Sequence, residues 1–278
     1  MSRREQLKYT CTVWQSKRGI ALPITFLVMF VSLTLLISTT YFFAISRISS
    51  ESILLRVSGA KQDMFSLENS IASVTWSPGS SQIYYFDNWE GTLMMVPGDR
   101  RLVINVTDNS FYDIVFNSTI GSIIYTLPAS GAQNEDFYPK GDSRAIVNQS
   151  ASTMTQLHIF RDTESQRIMI SYRPLAFSAP IASNNGKPVN NIRIYIINLN
   201  SSQPFTLQGN FHIKIACINV TSTTGSYDFL YQITFLTVKS TLDNVGDTVA
   251  LPISSSEEGA IVNLEIVMCN VQLQRTGV

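Results

Sequence analysis

The chain has 278 residues, 45% of them hydrophobic, with 20 basic against 20 acidic side chains and only 14% charged overall. That is enough apolar material for one large domain or two small ones with a true core, and the balanced, sparse charge excludes a basic field that would attract nucleic acid. Serine, threonine and asparagine take the place of the missing charge, which suits an exported β-rich surface, and three cysteines are too few for a disulfide scaffold.

The first predicted element is a basic leader, residues 1–19, in which Arg3, Arg4, Lys8, Lys17 and Arg18 outweigh Glu5. From Gly19 to Ser46 no charged residue occurs. About 28 residues of helix reach ~42 Å, enough to cross a ~30 Å hydrocarbon layer with tilt or overhang. Beyond the run, Arg47, Arg56 and Lys61 are balanced by Glu51, Asp63 and Glu68. The positive flank therefore predicts a cytoplasmic N-terminus, with the rest of the chain outside. The run is too long for an ordinary secretory signal and lacks a clear small-residue cleavage site.

Ahead of the apolar run stands Lys17-Arg18-Gly19-Ile20-Ala21-Leu22-Pro23. This resembles the prepilin leader of type IV pilins and pseudopilins, in which a membrane aspartyl peptidase cuts after the glycine on the cytoplasmic face. The resemblance implies a cut between Gly19 and Ile20. Glycine suits close binding of extended backbone there, and Pro23 suits the first turn of the new helix, where its missing N–H has no partner to lose. Most bacterial pilins carry glutamate at the fifth mature position, where it neutralises a neighbouring subunit's new amino group; here that position is Ile24. In this respect the chain resembles certain archaeal pilins and the minor pseudopilins of a filament tip.

The helix is predicted to continue, because Ile53, Val57, Ala60, Met64, Leu67, Ile71 and Val74 recur at alternating steps of four and three. Arg56, Lys61, Gln62, Asp63, Glu68 and Asn69 are expected off that stripe. Ser77-Pro78-Gly79 stops it. One helix over 20–76 results, its first part (20–46) membrane-spanning and its second (47–76) amphipathic, as in the long first helix of the pilin family. Gly59 costs ~1 kcal/mol inside a helix and marks a bend or a close contact.

After Gly79 the sequence turns to short β-branched and aromatic runs. Strands are expected at Ile83–Phe86, Leu93–Val96, Leu102–Val106, Tyr112–Phe116 and Ile123–Leu127, with Pro97-Gly98-Asp99 turning a hairpin. A looser connection follows to Gly141, setting a first β module over 79–141. Residues 142–278 then form a second module or the continuation of one sandwich. There a Met154–Phe160/Arg167–Tyr172 hairpin precedes a loop from Arg173 to Asn190. Further strands are expected at Ile192–Leu199, Phe211–Val220, Phe229–Val238 and Ile261–Leu273. The fold class is thus mainly β, an antiparallel sandwich-like exported region behind one long N-terminal helix.

No phosphate loop, nucleophile elbow, paired zinc motif or calcium loop is legible, so no catalytic residue, cofactor or metal ligand is assigned. His158 and His212 read as ordinary strand residues, and Tyr84-Tyr85-Phe86 with Trp89 as core or cross-strand aromatics. If the chain crosses the membrane once, Cys217 and Cys269 share the oxidising side while Cys11 does not. They form either one bridge or two buried thiols. Asn105, Asn117, Asn148, Asn200 and Asn219 begin Asn-x-Ser/Thr sites, each expected near a strand end or turn, which permit glycosylation outside the cell.

The pilin resemblance, covering residues 17–80, implies a non-enzymatic, pilin-like or pseudopilin-like subunit of a surface filament or secretion machine. Membrane lipid, a prepilin peptidase, an assembly ATPase with its platform protein, and other pilin-like subunits would be its partners. The rival readings are a permanently anchored adhesin, receptor or envelope component and, more weakly, an anchored exoenzyme.

Overall fold

The computed structural model describes residues 21–108, 110–128, 136–148, 153–161, 165–184 and 186–276. Cys11, Lys17, Arg18, Gly19 and Ile20 lie outside the described residues. The chain divides after Leu55 into two compact units.

The described part of the first unit is helix. The helix α1, Ala21–Val74, is the one helix among the described residues. It stops where Thr75 bonds back to the Ile71 carbonyl through both its N–H and its hydroxyl, and where Trp76 and Gly79 take φ values of 69° and 84°. Pro78, which lacks an N–H, would not extend it.

The second unit holds the end of α1 and fourteen strands among the described residues. They are β1 (Ser81–Phe86), β2 (Thr92–Thr107), β3 (Tyr112–Pro128), β4 (Phe137–Lys140), β5 (Val147–Asn148), β6 (Thr155–Arg161) and β7 (Ser165–Tyr172), then β8 (Leu175–Asn184), β9 (Lys187–Asn198), β10 (Phe205–Gln208), β11 (Phe211–Phe229), β12 (Phe235–Leu242), β13 (Val245–Pro252) and β14 (Ala260–Thr276). A six-stranded sheet runs β1-β11-β14-β9-β8-β5, and a larger sheet runs β13-β12-β2-β3-β7-β6-β4 with β10 on β2. All pairings are antiparallel except β14 with β9 and β5 with β8. Strands from both sides of residue 141 hydrogen-bond within each sheet, so the strand order runs across that boundary.

The long strands serve two cores. On β14 the buried positions are Ala260, Val262, Leu264 and Ile266, then Cys269, Val271 and Leu273. Parity flips between Ile266 and Cys269, yet β14 keeps unbroken register with β9. Side chains alternate faces along a strand, so the second set points to the opposite side of the sheet. The first set packs with Leu102, Ile104, Ile194 and Leu236; the second packs with Phe86, Leu93, Ile123, Ile213 and the end of α1. β2 and β3 likewise contribute to both.

Several expected boundaries need correcting. Pro97-Gly98-Asp99 is not a hairpin turn but an irregularity inside β2, where pairing with β3 jumps from Val96 to Arg100. Gly98 there has φ 64°, and its N–H reaches Asn200 Oδ1 at 2.6 Å. Tyr112–Phe116 and Ile123–Leu127 are one strand, β3. The expected loop from Arg173 to Asn190 is mostly the β8/β9 hairpin; β8 has only the two-residue β5 on its outer side, a near-edge position where Pro180 is tolerated. Phe229–Val238 is split, since β11 ends at Phe229 and β12 starts at Phe235. β4, inside the expected loose connection to Gly141, and β5, β10 and β13 were not expected.

Candidate functional site

The distinctive element is α1, and its two parts offer different surfaces. Every described side chain from Pro23 to Glu51 is exposed, Ile24 included. Phe26, Phe30, Leu36, Phe42 and Phe43 are each at least 60% exposed, on all sides of the helix. The helix is long and apolar enough to cross a membrane. Four of its hydroxyls bond back onto the helix: Ser32 to the Met29 carbonyl, Thr34 to Phe30, Thr39 to Leu35 and Thr40 to Leu36. In hydrocarbon such groups have no water to turn to, and the carbonyls of the preceding turn serve these four instead.

From Arg56 onward the helix is seated. Ala60, Met64, Leu67, Ile71 and Val74 are buried, with Ile53 and Val57 half-buried. Fully burying a Leu, Ile or Met side chain stabilises by roughly 1.5–3 kcal/mol, so this short face alone is a substantial fraction of a domain's net stability. Gly59 marks a close contact: a Cβ built there would lie 2.4 Å from the Trp89 ring. Trp89 is fixed in turn, since its Nε1–H donates to Asp63 Oδ2 at 2.7 Å, while the same carboxylate accepts from the Tyr84 hydroxyl and the Asp87 N–H, each at 3.1 Å. Burial first, and Asp63 second, push the Tyr84 phenol up to about 12.

Glu68 corrects the sequence reading. It lies four residues after Met64, on the packed face, and is fully buried. Thr155 donates its hydroxyl to Oε1 at 2.6 Å, and Lys140 Nζ pairs with Oε2. A carboxylate without such partners would be costly to desolvate. The arrangement therefore fixes α1 to β4 and β6 in one register. A second buried ion, Arg173, fully buried at the end of β7, holds the 142–144 turn by pairing with Asp142 and donating to the Arg144 carbonyl at 3.1 Å. Bonds from Arg144 and Arg173 hold the Asp142 carboxyl well below the usual carboxylate range.

Cys217 and Cys269, on neighbouring strands β11 and β14, are buried with their Sγ atoms 3.5 Å apart. Cys217 shares its inward face with Phe211, Ile213 and Ile215. The Trp76 N–H, just past the end of α1, donates to Cys269 Sγ at 3.3 Å. Burial raises the Cys269 thiol to about 12.

The other sequence candidates are scattered. Phe86 stacks on Phe211 at 5.1 Å as a core pair, and Tyr85 is exposed beside His212. His158 stacks on Tyr138 and its Nε2 lies 2.6 Å from Asp136. Among the described residues no group of three His, Cys, Asp or Glu side chains is placed to hold a metal. Of the five asparagines, Asn117 and Asn219 sit inside β3 and β11, not at strand ends, and are exposed, as is Asn148. Asn219 adjoins the register shift of β11, and Asn105 that of β2. Asn200 donates its amide to the Thr119 carbonyl at 2.5 Å.

Two concavities among the described residues bear on these side chains. One of about 210 Å³ is lined by Arg100, Tyr138, Gln156, His158 and Ser171, with Arg100 committed to Asp243 and Ser171. The other, open and about 490 Å³, is lined by Phe111, Tyr227, Phe229, Leu230 and Tyr231. Comparison with protein-family models, curated proteins and solved structures found no match for this chain.

Proposed function

We propose that the chain is a pilin-like or pseudopilin-like subunit of archaeal type, held by its apolar helix with the N-terminus in the cytoplasm and displaying its β domain outside the cell. The observation that carries the reading is the division of α1: uncharged to Ser46 and exposed on every side to Glu51, then one-sided and seated in the β domain from Arg56. A helix built this way presents an apolar surface that its own chain leaves open, to lipid first and to the helices of like subunits after assembly. Lys17-Arg18-Gly19-Ile20 adds a processing point at the base of that surface. The role is non-enzymatic. Its partners are a prepilin peptidase, an assembly ATPase with its platform protein, and other pilin-like subunits. Ile24, which offers no carboxylate to a neighbour's amino group, favours a minor or tip position.

The same Ile24 supports a second reading, a permanently anchored adhesin, receptor or envelope component that never polymerises. Processing separates the two. Co-expression with a cognate prepilin peptidase is expected to shorten the chain by residues 1–19, and Gly19→Val to abolish the shortening while membrane insertion persists, because the ~28-residue apolar run stays nearly intact. A chain left uncut beside other substrates that are cut would remove the pilin reading and leave the anchored protein.

A further inference from the structure

We propose that Cys217 and Cys269 are joined during folding into a disulfide, by exchange with an exported thiol–disulfide oxidoreductase, and that the bridge is then sealed in the core beneath the last turn of α1. This needs an oxidising compartment for the β domain but holds whether or not the chain polymerises.

The geometry brings the sulfurs together. β11 and β14 are hydrogen-bonded neighbours, pairing Cys217 with Val271 and Val220 with Cys269. Left regular, the ladder would place residues three apart on β11 on opposite faces. The register shift between Cys217 and Asn219 takes up one residue and returns Cys217 to the face of Cys269. The sulfurs end 3.5 Å apart; a bond requires them to close by about 1.5 Å, within reach of small rotations about both side-chain bonds.

The burial decides when this happens. Cys217 is 1% and Cys269 0% exposed, in the core that includes Ile71, Val74 and Tyr172. In the folded state neither sulfur is open to a protein carrier. With the Cys269 thiol raised to about 12, almost no thiolate exists there to attack an incoming disulfide. Exchange therefore belongs to the stage before α1 closes over the sheet. One thiolate attacks the carrier's disulfide and expels one carrier thiol; the second attacks the mixed disulfide and expels the other. Two cysteine thiols are oxidised, one Sγ–Sγ bond forms, and both protons and both electrons leave on the carrier's dithiol.

The test is to refold the detergent-solubilised full chain from denaturant in mixed reduced and oxidised glutathione, alkylate, and map peptides without reductant. The expected result is a linked Cys217–Cys269 peptide in most chains, unopened by reductant in the native state and opened by the same reductant in denaturant. Because the bridge spans 52 positions of sequence, the bridged chain is expected to melt roughly 10 °C above the reduced one. Separately alkylated Cys217 and Cys269 peptides, or a bridge reduced equally fast with and without denaturant, would overturn the proposal. Protein extracted from membranes with alkylating agent present throughout gives a reading that needs no refolding: a linked peptide supports the bridge, and two alkylated thiols refute it.

Discussion

The two parts of α1 share one backbone geometry and differ only in how their side chains are distributed around it. Between Pro23 and Ser46 no charged residue occurs, and every side chain is exposed. Between Arg56 and Val74 the apolar residues fall on one stripe, and the β domain covers that stripe. Helical periodicity thus separates apolar surface left open from surface already used. The seat also shows that polar residues, not only apolar ones, hold a helix in place: Glu68 and Asp63 each collect several donors from the β domain.

The largest effect is expected at the buried ion. Lys140→Met leaves Glu68 charged and desolvated, and should cost the β domain about 3–5 kcal/mol in denaturant melts of the full chain. Glu68→Gln should cost less, about 1–2 kcal/mol, because Lys140 is 30% exposed and can turn to water, while the amide still accepts from Thr155. Equal costs would mean that the pair is not the asymmetric contact described.

Next in size is a matched pair of truncations along the same helix. Leu67→Ala should cost about 2–5 kcal/mol of β-domain stability, whereas Leu36→Ala should leave that stability within about 0.5 kcal/mol. A comparable loss from Leu36→Ala would show that the first part of α1 is also packed on its own chain. Smaller again is Gly59→Ala, where roughly 1 kcal/mol of improved helix propensity is outweighed by displacing Trp89 from its bond to Asp63. A net loss of about 1 kcal/mol and a changed tryptophan emission are expected; stabilisation with unchanged emission would contradict the contact.

What was legible in the sequence follows the same division. The stripe from Ile53 to Val74 and the apolar run could be read because their patterns are local and Ser77-Pro78-Gly79 marks the stop. Glu68 could not, since a carboxylate at a stripe position looks solvated until Lys140 and Thr155, more than seventy residues away, arrive beside it. The long strands were cut short for a related reason. β3 turns one face to each core, so exposed Asn117, Ser118 and Thr119 in its middle read as an interruption. Pro97-Gly98-Asp99 has turn chemistry, but the pairing partners on β3 continue past it, which only the sheet reveals. The Cys217–Cys269 approach depends on that kind of irregularity as well, one residue taken up in β11.

The central claim, that one helix carries an open apolar part and a seated part, is tested most directly by scanning single spin labels along α1 in the full chain in lipid nanodiscs. Collision with oxygen, which concentrates in hydrocarbon, is predicted to be high at every position through the membrane run to about Ser46. It should then become periodic at 3.6 residues, with minima at Ala60, Met64, Leu67 and Ile71. A protected face already present between Phe30 and Ser46, or unprotected positions on every side beyond Arg56, would contradict the account.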